Sequence, residues 1–157
     1  MKYILSKQDI DAMEGTHKVH FLNDSAVRLN KSLGDATGLT QLGFHLIEIE
    51  PGHESTEYHM HYYEDECTYI LEGEATVNID DTDYSVGPGD FIGYPAGGLP
   101  HTMKNTGTST LRCLVAGQRL LQDVGDYPRL GKRIYRQSGN VDVADINALQ
   151  HPSMGKK

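Results

Sequence analysis

The sequence predicts an all-β domain, a sandwich or barrel of short strands. Seven or more short runs rich in β-branched and aromatic residues follow one another, each stopped by Gly, Pro, Asn or Asp. No long amphipathic helix alternates with them, which argues against a parallel α/β sheet. Glycine is abundant, at 17 of 157 residues, as tight corners between strands require.

The elements follow in order. Ser6 followed by Asp9 reads as a helix N-cap ahead of Ile10 and Met13, and Gly15 can end that short helix. His17–Phe21 and Ala26–Leu29 have strand character. Phe44–Glu50 (FHLIEIE) is a stronger strand, stopped by Pro51-Gly52. Strand and turn then alternate. Thr68–Leu71 runs to Glu72-Gly73, Ala75–Ile79 to Asp80-Asp81, and Tyr84–Val86 to Gly87-Pro88-Gly89. Phe91–Tyr94 stops at Pro95, His101–Lys104 at Asn105-Thr106-Gly107, and Thr110–Ala116 at Gly117. After Gln118 the character changes. RLLQDVGDYPRLGKRIYRQ carries most of the late basic residues and is expected to pack outside the barrel as a tail, with a short helix at Asn147–Gln150. One domain is expected: an N-terminal extension with a short helix and edge strands over 1–40, a barrel core over 41–117, and a C-terminal tail over 118–157.

Composition bounds the function. A formal charge of −8 disfavours nucleic acid and anionic membranes as partners, because both attract Lys/Arg patches. It does not exclude an anionic substrate, since a metal leaves its own site locally positive. No stretch approaches the roughly 18 apolar residues of a membrane span. The start, MKYILSKQDIDAMEG, lacks a secretory apolar core. The expected location is cytoplasmic. Cys67 and Cys113 are too few for a disulfide framework and fall in apolar runs, as buried free thiols do.

The chemistry concentrates in two segments. PGHESTEYHMHYYEDECTYILEG contains His59, His61 and Glu66, and GPGDFIGYPAGGLPHTMKN contains His101. Residues two apart on a strand share a face, so His59 and His61 point together and Met60 points away. The polar stretch Tyr62–Asp65 can turn the chain, which lets Glu66 return opposite the two imidazoles. His101 must arrive from a distant strand. Three imidazoles and a carboxylate suit Mn, Fe, Co, Ni, Cu or Zn better than Ca or Mg. An octahedral ion with these four ligands keeps two cis positions for substrate or O₂. A tetrahedral Zn would be closed and structural.

These two segments resemble the paired motifs of the cupin superfamily, G-x5-H-x-H-x3/4-E-x6-G and G-x5-P-x-G-x2-H-x3-N. His59-x-His61, four residues, Glu66, six residues and Gly73 match the first. Gly89, five residues, Pro95-x-Gly97, His101, three residues and Asn105 match the second. Two departures each add one loop residue before a ligand: six residues separate Gly52 from His59, and three separate Gly97 from His101. The likeness covers roughly residues 40–117. It implies a double-stranded β-helix, the cupin jelly-roll barrel, with one divalent transition metal held near its mouth by His59, His61, Glu66 and His101. Glu64 competes for the acid role but breaks the six-residue step to Gly73. Alternation sends Cys67 to the face opposite Glu66. The resemblance also implies a homodimer and a small-molecule substrate or ligand.

Other residues have plainer readings. Tyr58, Tyr62, Tyr63 and Tyr69 are expected to cap barrel ends, with Tyr63 the catalytic candidate because it continues the face of His59 and His61 if the strand persists. His53 reads as a loop residue and His45 as a satisfied sheet histidine. Met103 reads as pocket packing, and Asn105 as a turn closer. Arg112 and Lys104 could meet an anionic substrate or be surface charge. Gly89, Gly93, Gly97 and Gly98 lack the GK[ST] ending of a phosphate loop. The expected function is a mononuclear-metal enzyme acting on a small polar or anionic molecule. Dioxygenase, decarboxylase, lyase and isomerase chemistry all stay open, beside a non-catalytic ligand-binding or sensor module and a structural zinc site.

Overall fold

Short strands joined by tight turns pair antiparallel, and every pairing between the strands is antiparallel. The computed structural model describes residues 2–155. The elements are α1 (Lys7–Asp11), β1 (Thr16–His20), β2 (Asn23–Ser32), α2 (Leu33–Thr37), β3 (Leu42–Ile49), β4 (Met60–His61), β5 (Glu66–Glu72) and β6 (Ala75–Ile79). They continue as β7 (Thr82–Val86), β8 (Phe91–Tyr94), β9 (His101–Asn105), β10 (Leu111–Gln118), β11 (Gln122–Tyr127), β12 (Lys132–Gln137) and β13 (Asn140–Asp145).

One wall is a six-stranded sheet in the order β1-β2-β3-β10-β5-β8. The opposite wall has two parts, β13-β12-β11-β4 and β7-β6-β9. The two parts meet at a bridge between His59 and His101, which exchange N–H···O bonds of 3.0 and 2.8 Å. The apolar core lies between the walls. Ile47, Ile49, Ile70, Leu111 and Cys113 come from the six-stranded side, and Ala75, Val77 and Met103 from the other. Alternation selects these residues: in β10, Leu111 and Cys113 are buried while Arg112 between them reaches out to Glu48 and Glu72.

Asn105 shows how the ends of the motifs are tied. It is fully buried, donates to the carbonyls of Ile49 (2.7 Å) and Ser109 (2.9 Å), and accepts the Gly107 N–H (3.0 Å). It closes the β9–β10 turn, as its side chain type suggests. At the start of the chain, α1 has the N-cap expected at Ser6, and Asp9 completes it as a capping box.

Three features differ from the sequence expectations. The helix α2 is capped by Ser32 and ended by Gly38 in the left-handed region, a signal too short to stand out from the flanking strands. The segment after Gln118, expected as a tail, carries β11, β12 and β13, and β11 pairs with β4 as part of the barrel wall. Gly125 permits that pairing, since a Cβ there would lie 2.9 Å from the Met60 carbonyl oxygen. The expected helix at Asn147–Gln150 is instead a 3-10 turn, Ile146–Ala148.

Candidate metal centre

Two segments bring the histidines together: β4 with the residue before it, and β9. His59 and His101 face each other across the bridge, with ring centroids 4.7 Å apart, and His61 follows two residues later with its ring 4.9 Å from that of His59. Glu66 opens β5 on the facing wall, with its carboxylate 3.9 Å from His61 Nε2. Ligand atoms of His59, His61 and Glu66 all lie within 4.8 Å of one another. His101 stands beside this group, its ring stacked at 3.6 Å on Tyr94, which is itself paired with Glu66 across β5 and β8.

Each imidazole has its Nδ1 engaged by an oxygen acceptor. The partners are the Glu57 carbonyl for His59 (2.8 Å), the Asp123 carboxylate for His61 (2.6 Å) and the Leu99 carbonyl for His101 (3.3 Å). A carbonyl oxygen can only accept, so Nδ1 carries the proton and Nε2 offers its lone pair. His101 Nε2 is buried with no hydrogen-bond partner among the described residues. An orphaned, buried lone pair among two other imidazoles and a carboxylate is what a divalent transition metal satisfies, and the residues fit such an ion.

The electrostatics of His59 and His101 agree. Burial holds His59 well below the ordinary histidine range, helped by its imidazole neighbours, and lowers His101 to about 4. Neutral imidazoles are the form that binds metal. Burial also opposes charge on His61, but the Asp123 hydrogen bond and the nearby Glu66 charge outweigh it and leave its pKa raised. Burial raises Glu66, against the pull of His61 and Arg28.

The four candidate ligands line a cavity of about 350 Å³ between the two walls. Arg28 and Asn30 of β2, His45 of β3, Met103 of β9, Arg119, and Tyr127 and Arg136 of the C-terminal strands share its lining, as does His20. The other sequence candidates sort as follows. Tyr63 stays outside the cavity lining and is 59% exposed, because β4 ends at His61 and the shared face does not continue. Its backbone N–H donates to Asp123 (3.2 Å). Glu64 is tied to the Leu120 N–H (2.6 Å) and to Arg136. Tyr58 packs under Arg129, and Tyr62 bonds Asp126. His45 is bonded by Asn30 (3.2 Å), yet it also faces the cavity. Arg112 pairs on the outer face with Glu48 and Glu72. Cys67 and Cys113 are free thiols.

Sequence reasoning missed Asp123, His20, Arg28, Tyr127 and Arg136. All lie outside the two motif segments, on strands whose inward face was not identified. The one available signal was a charged residue at the centre of Ala26–Leu29, in phase with Ala26.

Comparison with known proteins agrees with this architecture. The family profile described as Cupin domain matches residues 45–117. A solved structure named "Putative sugar phosphate isomerase", from Acidithiobacillus ferrooxidans, is 52% identical over 98% of both chains, with a TM-score of 0.95. A sugar phosphate isomerase from a cupin superfamily of Silicibacter pomeroyi is 27% identical, covering 92% of this chain and 96% of that one, with a TM-score of 0.82. The polyketide cyclase RemF from Streptomyces resistomycificus is 25% identical over 75% of this chain and 80% of its own, with a TM-score of 0.55. No curated protein matches the chain. Among the described residues no helix is long and apolar enough to cross a membrane. With both ligand segments inside the matched span and a relative alike from end to end, the chain belongs to the cupin superfamily.

Proposed function

We propose that this protein is a metal-dependent isomerase of a small sugar phosphate. The observation that carries the proposal is a single cavity lined both by the four candidate metal ligands and by the cationic side chains Arg28, Arg119 and Arg136. A sugar phosphate has two matching ends, a carbonyl flanked by hydroxyls and a phosphate dianion. The sugar phosphate isomerase names of two relatives alike over most of their length support the same substrate class.

His59, His61, Glu66 and His101 would hold the ion. When bound, it supplies Lewis acidity at the carbonyl and neighbouring hydroxyl oxygens of the sugar. Tyr127 has the position of a hydrogen-bond donor. The Leu22 N–H donates to His20 Nδ1 (3.2 Å), so the proton of the neutral ring sits on Nε2 and is donated to Tyr127 Oη (3.2 Å). The Tyr127 hydroxyl proton is then left for a cavity oxygen. Burial pushes the phenol up to about 12, which keeps it protonated at neutral pH.

The test loads the protein with Mn, Fe, Co, Ni or Zn and offers a panel of aldose and ketose phosphates in D₂O. Interconversion or exchange of the carbon-bound hydrogen, followed by proton NMR, is the expected result. Saturable binding without turnover for every metal and sugar would sink the proposal and leave a ligand-binding module in its place.

A further inference from the structure

We propose that Arg28 forms an anion subsite in the cavity wall and takes the phosphoryl group of a phosphate monoester whose sugar end meets the histidine-rich centre. This inference rests on the sugar phosphate reading of that centre, and it adds which residue grips the charged end.

The placement of Arg28 is unusual for a cation. It stands on β2 between Ala26 and Asn30, both buried, so it shares their inward face, and its side chain lines the cavity. Its outward neighbours Val27 and Leu29 point the other way. The guanidinium makes one hydrogen bond, from Nη1 to the Ser55 carbonyl, and Nε is buried with no partner. No carboxylate forms an ion pair with it among the described residues. A guanidinium with a buried, unpartnered Nε–H and no ion pair is costly and calls for an anion.

The other cavity arginines are already committed. Arg119 is paired with Asp35, and Arg136 with Glu64 and Asp123. Arg28 alone of the three makes no ion pair, and its charge is felt by other groups that line the cavity, Glu66 among them. It disfavours protonation of His20 and His45, and it is felt by Glu66 at the metal centre. An anion on Arg28 therefore sits within the same cavity as a sugar oxygen at the centre. The flat guanidinium fork suits a phosphate oxygen pair better than a point cation does. Arg28 lies outside residues 45–117, the span matched by the family profile, so the profile does not assign it a role.

The experiment uses the full chain, stripped of metal with a chelator so that phosphate cannot bind an ion. Inorganic phosphate is titrated in while the Arg28 Nε–H resonance is followed by ¹⁵N NMR and affinity is measured by calorimetry. The expected result is a saturable shift of that resonance. Arg28→Gln should weaken phosphate binding by roughly tenfold or more, as loss of a charged hydrogen bond does, and Arg28→Lys should lie between. A cobalt titration of each variant checks that the centre still forms. An unshifted Arg28 resonance, or equal phosphate affinity in wild type and Arg28→Gln, overturns the proposal. The two readings fail separately. Phosphate held at Arg28 without isomerisation of any sugar phosphate keeps the subsite and removes the isomerase. Isomerisation with an unchanged KM in Arg28→Gln keeps the isomerase and removes the subsite.

Discussion

The Asp123 carboxylate lies 2.6 Å from His61 Nδ1 and is 1% exposed. Its other oxygen accepts the Tyr63 N–H, and Arg136 approaches the His61-bonded oxygen at 3.5 Å. A carboxylate in this position fixes the tautomer and the plane of the ring and makes Nε2 a better donor to a metal. Removing it should therefore weaken metal binding without touching a ligand. Asp123→Ala is expected to lower affinity by roughly 10- to 100-fold, and Asp123→Asn by less, since its amide oxygen can still accept the ring proton. Competition titration of cobalt or zinc against a chromophoric chelator measures this. An unchanged dissociation constant in Asp123→Ala would show that packing alone orients His61.

Acid should destabilise the metal-free protein. His59 and His101 are depressed in the folded state and return to about 6.5 on unfolding. Between those values the unfolded chain binds more protons, so stability rises with pH. The contribution is present above about 6.5 and is lost progressively as pH falls toward about 4, and for His101 alone it amounts to up to about 3 kcal/mol. His61 and Glu66 are raised and act in the opposite sense: their contribution is present at low pH and is lost as pH climbs through their folded values. Two deeply buried imidazoles should dominate between pH 7 and pH 5. Urea midpoints of chelator-treated protein at those two values give the sign, and a midpoint that rose on acidification would contradict it.

Tyr127→Phe should keep metal affinity and reduce turnover. The hydroxyl accepts from His20 and can donate to substrate, and loss of such a donor costs roughly 10²-fold in rate. Steady-state kinetics beside a metal assay separates the two effects. Equal kcat in the variant would remove Tyr127 from the chemistry.

Gly125→Ala should loosen the centre from behind. The new Cβ would meet the Met60 carbonyl at 2.9 Å and Ile134 at 3.3 Å. β11 must then retreat from β4, the strand that carries His61. A loss of about 1–3 kcal/mol is expected, as for overpacking elsewhere, together with weaker metal binding. Chemical denaturation gives the first quantity and the cobalt titration the second.

The core barrel was legible because its strands are short, alternating and punctuated. The step from His59 to His61 and the return at Glu66 follow directly from strand geometry, and the structure brings those three side chains together. Arg28 was hidden by its neighbours. Val27 and Leu29 look like the inward face of β2, yet the Leu29 side chain packs beside Gly15 on the outside, which leaves the barrel interior to Ala26, Arg28 and Asn30. The strands after Gln118 were hidden by composition. QDVGDY and KRIYRQ carry five charged residues between them without a strand-like alternation and pass for a polar tail, but Asp123, Asp126, Arg133 and Arg136 satisfy one another and the centre. Pairing of that kind is set by tertiary contact and leaves no periodic trace. Tyr63 illustrates the converse error. Its phase was right, but β4 stops at His61, and a strand of two residues cannot carry its alternation further.

The bridge between His59 and His101 has a thermodynamic consequence. These two candidate ligands are 42 positions apart in the sequence, and Glu66 belongs to the other wall. An ion held by all of them would act as a cross-link, closing loops of the chain much as a disulfide does and restraining the unfolded ensemble. Loading should then raise the melting temperature in proportion to the logarithm of free metal over its dissociation constant, which makes thermal shift a direct readout of which ion the centre prefers.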